Sequence, residues 1–412
     1  MKKLFLVLII LIITVSAFAA GKQDAAQEEA KPDKLIYITP SWGAPSEELL
    51  AKFEAQSGIK VEVSTLKDAD LKTKVMQAAA GKVNPADIIF VGISHFGTFG
   101  NSGILAELDS IVPDSVFNKV AGKNFFQMDG DTYAVPIYQQ MVMIDYDKSA
   151  LEKIGTSADA IKTWQDFEDI SLKLKNEGIY EYPLAIAVRH WSWYLISLSS
   201  GSTLFDKDGN PTFDDPADPA YDAYKRLIKW FEMGMISPER LTSPNAHPSF
   251  WAGQAAFHQA WQGSLAIANN PEKSKTAPNA DYLLLPEQHF TWSLPAGLAI
   301  SSYSEYPQAA LSFIEFMVSE EPQLFGYEGN GMFPANKQVF ADLGAQGKID
   351  GWDAMSEQAK YVIPLPYSTP WFAEFETELK NSLIRVAKGE VDVDQAIKDL
   401  GDFTRALQKE YE

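Results

Sequence analysis

From Leu35 to Val91, apolar runs of strand length alternate with amphipathic runs of helix length, and no other feature restricts the fold of this chain as tightly. Leu35-Ile36-Tyr37-Ile38 has the continuous apolar character of a strand buried on both faces. Ser46 to Gln56 then carries Leu49, Leu50 and Phe53 on one helical face, with Ser46 placed to cap its start and Gly58 to end it. A second strand is expected over Val61 to Thr65, a helix over Asp70 to Ala80 and a third strand over Asp87 to Val91. Strands joined through helices run parallel, because antiparallel partners need only a short turn, so an α/β chain with a parallel sheet is expected. In such sheets ligands bind beyond the carboxyl ends of the strands. Three segments stand there: Thr39-Pro40-Ser41-Trp42-Gly43, Thr65-Leu66-Lys67-Asp68 and Gly92-Ile93-Ser94-His95-Phe96. Trp42, in a loop flanked by Gly and Pro, is either packed beneath the loop or held out as a platform. Its position alone does not choose.

The N-terminus speaks for export. Lys2 and Lys3 precede an apolar run from Leu4 to Ile13, and Ala17-Phe18-Ala19 gives the small-x-small pattern of a cleaved secretory signal, expected over residues 1–19. The run is shorter than the roughly 20 residues of a membrane-spanning helix. Residues 20–34 (AGKQDAAQEEAKPDK) are polar and aperiodic and read as a flexible leader. About 390 residues follow the signal, enough for two domains. The middle of the chain repeats the α/β mixture, with helices around Trp164 to Asn176 and Pro219 to Met233 and a strand at Leu184 to Val188. The last third is helical over Pro307 to Val318, Glu374 to Ala387 and Asp392 to Tyr411.

There is no cysteine, which removes disulfides, thiol nucleophiles and lipid attachment to a cysteine after the signal. The net charge of −20 repels nucleic acid and anionic lipid and serves solubility. The five histidines show no HExxH or other close metal spacing, and there is no G-x-S-x-G elbow. Asp206-Lys207-Asp208-Gly209-Asn210 hints at a calcium loop. Pro211 and Ala217 stand where that loop needs Gly and an acid, so a hairpin turn is expected. No metal or cofactor is expected. A glycoside hydrolase remains the rival from another class, since two carboxylates could stand among 55 acidic residues.

Five passages together resemble one family. Tyr133-Ala134-Val135-Pro136 running to Tyr146-Asp147-Lys148 is the first, and Phe250-Trp251-Ala252-Gly253-Gln254-Ala255-Ala256-Phe257 the second. Ser293 to Ser301, the helix Pro307 to Val318 and Gly331-Met332-Phe333-Pro334-Ala335 complete the set, in family order. They are similar to the extracellular solute-binding proteins of sugar ABC importers, the family of maltose-binding protein. The resemblance implies a two-lobed, periplasmic-binding-protein-like α/β fold with discontinuous lobes, hinge crossings and a central ligand cleft. By position the crossings would lie near Ile137 to Met141, Phe290 to Ala296 and Gly331 to Ala335. The N-terminal lobe would take residues 35–138 and 297–330, and the C-terminal lobe 139–296 and 331–412. Two departures stand out: Trp261 precedes Gly263 where relatives have the reverse order, and the lipid-bearing cysteine of many relatives is absent.

A non-enzymatic, monomeric periplasmic receptor is thereby expected, closing on a sugar and delivering it to ABC permease subunits. The alternative within the fold is a receptor for another polar solute, such as a polyol phosphate or an oligopeptide. A sugar offers apolar C–H faces and a rim of hydroxyls, so its receptor needs flat aromatics and planar polar groups. One face stacked on an indole contributes roughly 1–2 kcal/mol, against about 8 kcal/mol for micromolar binding. Candidate platforms are Trp42, Trp191, Trp261 and Trp292. Candidate polar contacts at strand ends and crossings are Ser41, Ser94, His95, Tyr138, Gln140 and Gln262, with Met332 beside them. Arg189-His190-Trp191 follows a strand; Arg189 either holds ligand oxygens or pairs with a surface acid. Gln140 falls where the resemblance places a ligand-contacting acid, and Gln suits hydroxyls.

Overall fold

The computed structural model describes residues 31–411; the expected signal peptide and most of the expected leader lie outside them. The opening alternation folds as its pattern dictates. Strands Lys34–Pro40, Lys60–Leu66 and Ile88–Gly92 lie parallel, and helices Glu47–Ser57 and Asp68–Gly81 make the crossovers. Ser46 Oγ accepts from the Leu49 amide at 3.2 Å, and Gly58 ends the first helix with φ of 67°, a conformation a side chain would resist.

The first sheet has six strands, in the order Phe333–Pro334, Val135–Gln139, Ala296–Ile300, Ile88–Gly92, Lys34–Pro40, Lys60–Leu66. Ala296–Ile300 runs antiparallel to both its neighbours. The second sheet has four strands, in the order Ala280–Leu283, Val142–Asp147, Phe257–Trp261, Leu184–Ala185. The family-like stretch from Tyr133 to Tyr146 thus contributes two strands, one to each sheet. The chain leaves the first at Gln140 and enters the second at Val142. A second connection runs beside it: Leu294 N and Ser293 Oγ each donate to the Gln140 carbonyl at 2.7 Å, and Met141 bridges Ser293. These segments coincide with the first two expected crossings.

Two details depart from expectation, and a third meets it. Phe333–Pro334, assigned by resemblance to the C-terminal lobe, pairs with Val135–Gln139 at the edge of the first sheet. Phe333 nonetheless packs in one cluster with Val339, Leu343, Leu265, Ala280 and Tyr282 of the second body. The strand at 184 is short because Ile186 to Val188 leave the sheet to feed the helix His190–Ser199. At Asp206 to Asn210 the carboxylate of Asp206 accepts from the amides of Asp208 and Asn210 at 2.9 Å, while Phe205 bridges Pro211 antiparallel, a tight turn as the Asp-Gly pattern implied. Among the described residues no helix is long and apolar enough to cross a membrane, and no cluster of His, Asp or Glu could hold a metal ion.

Candidate functional site

A cavity of about 610 Å³ opens where the two sheets face each other, within the roughly 300–1,000 Å³ of small-molecule sites. One wall comes from the first sheet's carboxyl ends: Trp42, Asp68, Phe90, Gly92 and Ser94. The other comes from the second body: Ala187, Arg189, Trp191, Gln259 and Trp261. Tyr138, Gln140 and Leu294 of the crossings form the floor between them.

Trp42 stands in the turn Ser41–Gly43 at the end of the first strand. Gly43 lets that turn settle onto the sheet: a Cβ there would overlap Thr39 Oγ1 and the Phe90 ring, and Tyr37 donates its hydroxyl to the Gly43 carbonyl at 3.0 Å. The indole stands edge-on to Phe90 (4.8 Å) and Tyr138 (5.6 Å) and stays 39% exposed, so it is held by two rings without being buried. Across the cleft, Trp261 ends its strand and donates Nε1 to the Gly331 carbonyl at 3.1 Å. Trp251 lies nearly parallel to His247 at 5.7 Å and edge-on to Trp261 at 6.4 Å. The Arg189 guanidinium lies 4.2 Å from the Trp191 ring centroid.

A buried chain of hydrogen bonds stands behind His247. Its Nδ1 is 2.6 Å from His258 Nε2, and His258 Nδ1 is 3.2 Å from Asp145 Oδ2, which also accepts from Ser264 Oγ. Burial pushes both imidazoles down to about 3 and the Asp145 carboxyl well above its ordinary range. Both rings are therefore neutral at physiological pH, each with one N–H, and the chain locks the orientation of His247 at the cleft wall.

Of the thirteen residues singled out in the sequence, eight line this cavity: Trp42, Ser94, Tyr138, Gln140, Arg189, Trp191, Trp261 and Met332. Five do not. Ser41 faces solvent beside Trp42. His95 is buried behind the wall, with Nε2 3.3 Å from Asp68 Oδ2. His190 is buried 3.8 Å from Glu376 Oε1. Gln262 turns inward, its Oε1 accepting from the Met141 amide, so it ties a crossing to the second sheet. Trp292 is fully buried, edge-on to Tyr194 at 5.6 Å, and serves the core. Ser41, His95, His190 and Gln262 each stand next to a lining residue in sequence and lie outside the lining. The wall also contains Asp68, at the end of the second strand-end segment, and Phe90, Asn245, His247, Trp251 and Gln259, which strand-end reasoning did not select. Trp251 lay inside a family-like passage. His247 carried no signal, because only the fold brings it to His258.

A model of the bacterial extracellular solute-binding protein family matches residues 39–324. The maltodextrin-binding protein MdxE of Bacillus subtilis is 22% identical over 430 residues, covering 100% of this chain and 98% of its own. A maltooligosaccharide ABC transporter solute-binding lipoprotein of Streptococcus pneumoniae is 23% identical, covering 95% of this chain and 92% of its own. Among solved structures, maltose-bound MalE3 of T. maritima superposes with a TM-score of 0.79 at 20% identity, covering 91% of this chain and 99% of that one. With most of its length matched by the family model and its fold shared over 91% of its length, the chain belongs to the bacterial extracellular solute-binding proteins, a family of binding proteins rather than enzymes.

Proposed function

We propose that the protein is the substrate-binding component of a sugar ABC importer, capturing a saccharide by closure of its two lobes and presenting it to membrane permease subunits. The observation that carries the reading is the composition of the cleft: four indoles, Trp42, Trp191, Trp251 and Trp261, face one cavity with the planar polar groups of Arg189, Gln140 and Asn245 between them. Indoles match the apolar faces of a pyranose, and planar donors and acceptors match its hydroxyl rim. The maltodextrin and maltooligosaccharide receptors among its relatives support the same class of ligand. Residues 1–19 fit export to the periplasm. A sequence without cysteine offers no thiol for the lipid that the pneumococcal relative's name implies.

The test is a thermal-shift screen of the protein against mono- and oligosaccharides. A ligand that binds only the native state raises the melting temperature by mass action, by about 2.7 kcal/mol of stability at a hundredfold excess over Kd. A saccharide that shifts the melt should be recovered unchanged after long incubation. Recovery of hydrolysed sugar would overturn the receptor reading.

A further inference from the structure

The charges lining the cleft do not balance locally. The lining holds one carboxylate, Asp68, and one cation fixed at neutral pH, Arg189. Asp68 is engaged: burial raises its pKa, but the hydrogen bond and charge of His95 outweigh that and hold it below its ordinary value. Arg189 has no such polar partner. Its guanidinium packs on the Trp191 ring but makes no hydrogen bond or ion pair among the described residues, and its Nε is buried without a partner. Its nearest electrostatic counterweight is Glu376, which burial pushes up to about 8 despite the opposing pull of Tyr194 and Arg189. At neutral pH Glu376 is therefore mostly protonated and supplies little negative charge.

The neighbouring groups lean the same way. Besides Arg189 Nε, the indole nitrogens of Trp191 and Trp251 are buried and unpartnered, and none of these three can accept a hydrogen bond. Arg189 is also the N-cap of the ten-residue helix His190–Ser199, whose first turn favours negative charge, and no acid lies in that turn. Gln259 adds to them: its Oε1 lies 2.6 Å from Ser192 Oγ, which is also 2.6 Å from the Ala187 carbonyl, while its Nε2 is buried without a partner.

We infer that the ligand is an acidic saccharide, a uronate-type sugar or short oligosaccharide whose carboxylate is received by the Arg189 guanidinium. A carboxylate accepts only, in a plane that matches the guanidinium fork, and its single charge balances the single unpaired cation. A phosphate would bring a second charge with no second fixed cation in the lining to balance it. The inference rests on the saccharide reading of the cleft, and the experiment separates the two.

Calorimetric titration should compare matched pairs from mono- to tetrasaccharides: glucuronate with glucose, galacturonate with galactose, and oligogalacturonates with neutral galactans of equal length. In at least one pair the acid should bind tenfold or more tightly than its neutral partner, with an advantage that shrinks as salt is added. Arg189→Gln should abolish that advantage, and Arg189→Lys should restore it only in part. Equal or tighter binding of the neutral member throughout would overturn the inference and leave the saccharide reading intact. Silence toward both members of every pair would overturn both. The wild-type comparison needs no variant, so it decides even if Arg189→Gln folds poorly, which a melt of that variant reveals.

Discussion

Trp42 and Trp292 carry the same side chain into opposite situations, 39% exposed at the cleft and fully buried in the core. Trp42→Ala should weaken saccharide binding about tenfold, about 1.4 kcal/mol, with an almost unchanged melt of the free protein. Trp292→Ala should cost about 3–5 kcal/mol of stability, while the folded fraction keeps its affinity. Titration beside a melt separates the two, and a destabilised Trp42→Ala of normal affinity would remove Trp42 from the site. Glu376 makes a pH prediction. Its folded pKa of about 8 stands above the ordinary 4.5, so the native state holds a proton that the unfolded chain releases. Its contribution is fully present below about 4.5 and is lost as pH rises through about 8. Glu376→Gln should therefore gain on wild type in melting temperature across that window; a constant gap between the two curves would contradict it. None of this was legible in the sequence, because burial of Glu376 among Tyr194, Tyr367 and Arg189 is made by contacts distant along the chain.

Elements were more legible than side chains. Helix Trp164–Asn176 appears at its expected bounds because Thr163 and Asp166 form a capping box at its start. Helix His190–Ser199 was not foreseen, since HWSWYLISLS is apolar on nearly every side and leaves no periodic contrast. The third expected crossing holds a contact no pattern encodes: Gly263, just past one strand of the second sheet, meets Gly331, just before the edge strand of the first. A Cβ at position 263 would overlap the Gly331 carbonyl, which also accepts from Trp261. Backbone strain is not the issue, because Gly263 has φ of −91°. Gly263→Ala should destabilise by about 1–3 kcal/mol through overpacking. Gly81→Ala, within a helix and meeting only Val83 at an ordinary 3.7 Å, should be neutral or stabilising. Equal melting of the two variants would mean that the Gly263–Gly331 approach carries no weight.

At the scale of the molecule, the two sheets are joined by segments that lie side by side, the Gln140–Met141 and Ser293–Leu294 pair. Adjacent crossings of this kind let two bodies turn about them while each keeps its core. Small-angle scattering should report a smaller radius of gyration when a saccharide saturates the cleft. An unchanged radius, with Trp42 and Trp261 still quenched by the ligand, would mean that the free protein is already closed. The parallel strands at the start announced the fold class, and the family-like passages announced the crossings. Which strand belongs to which sheet was set by pairing between distant residues, as Phe333–Pro334 illustrates.

The place of Ala296–Ile300 between Ile88–Gly92 and Val135–Gln139 also governs the order in which the protein can come into being. A ribosome delivers the two strands that flank it, Ile88–Gly92 and Val135–Gln139, long before Ala296–Ile300 itself. Until that late strand emerges, the early half has a gap at its centre, and its contacts cannot add up to a stable lobe. The first sheet can therefore complete itself only after about residue 300 has been made, and for a chain exported as proposed above that delay would favour threading before folding.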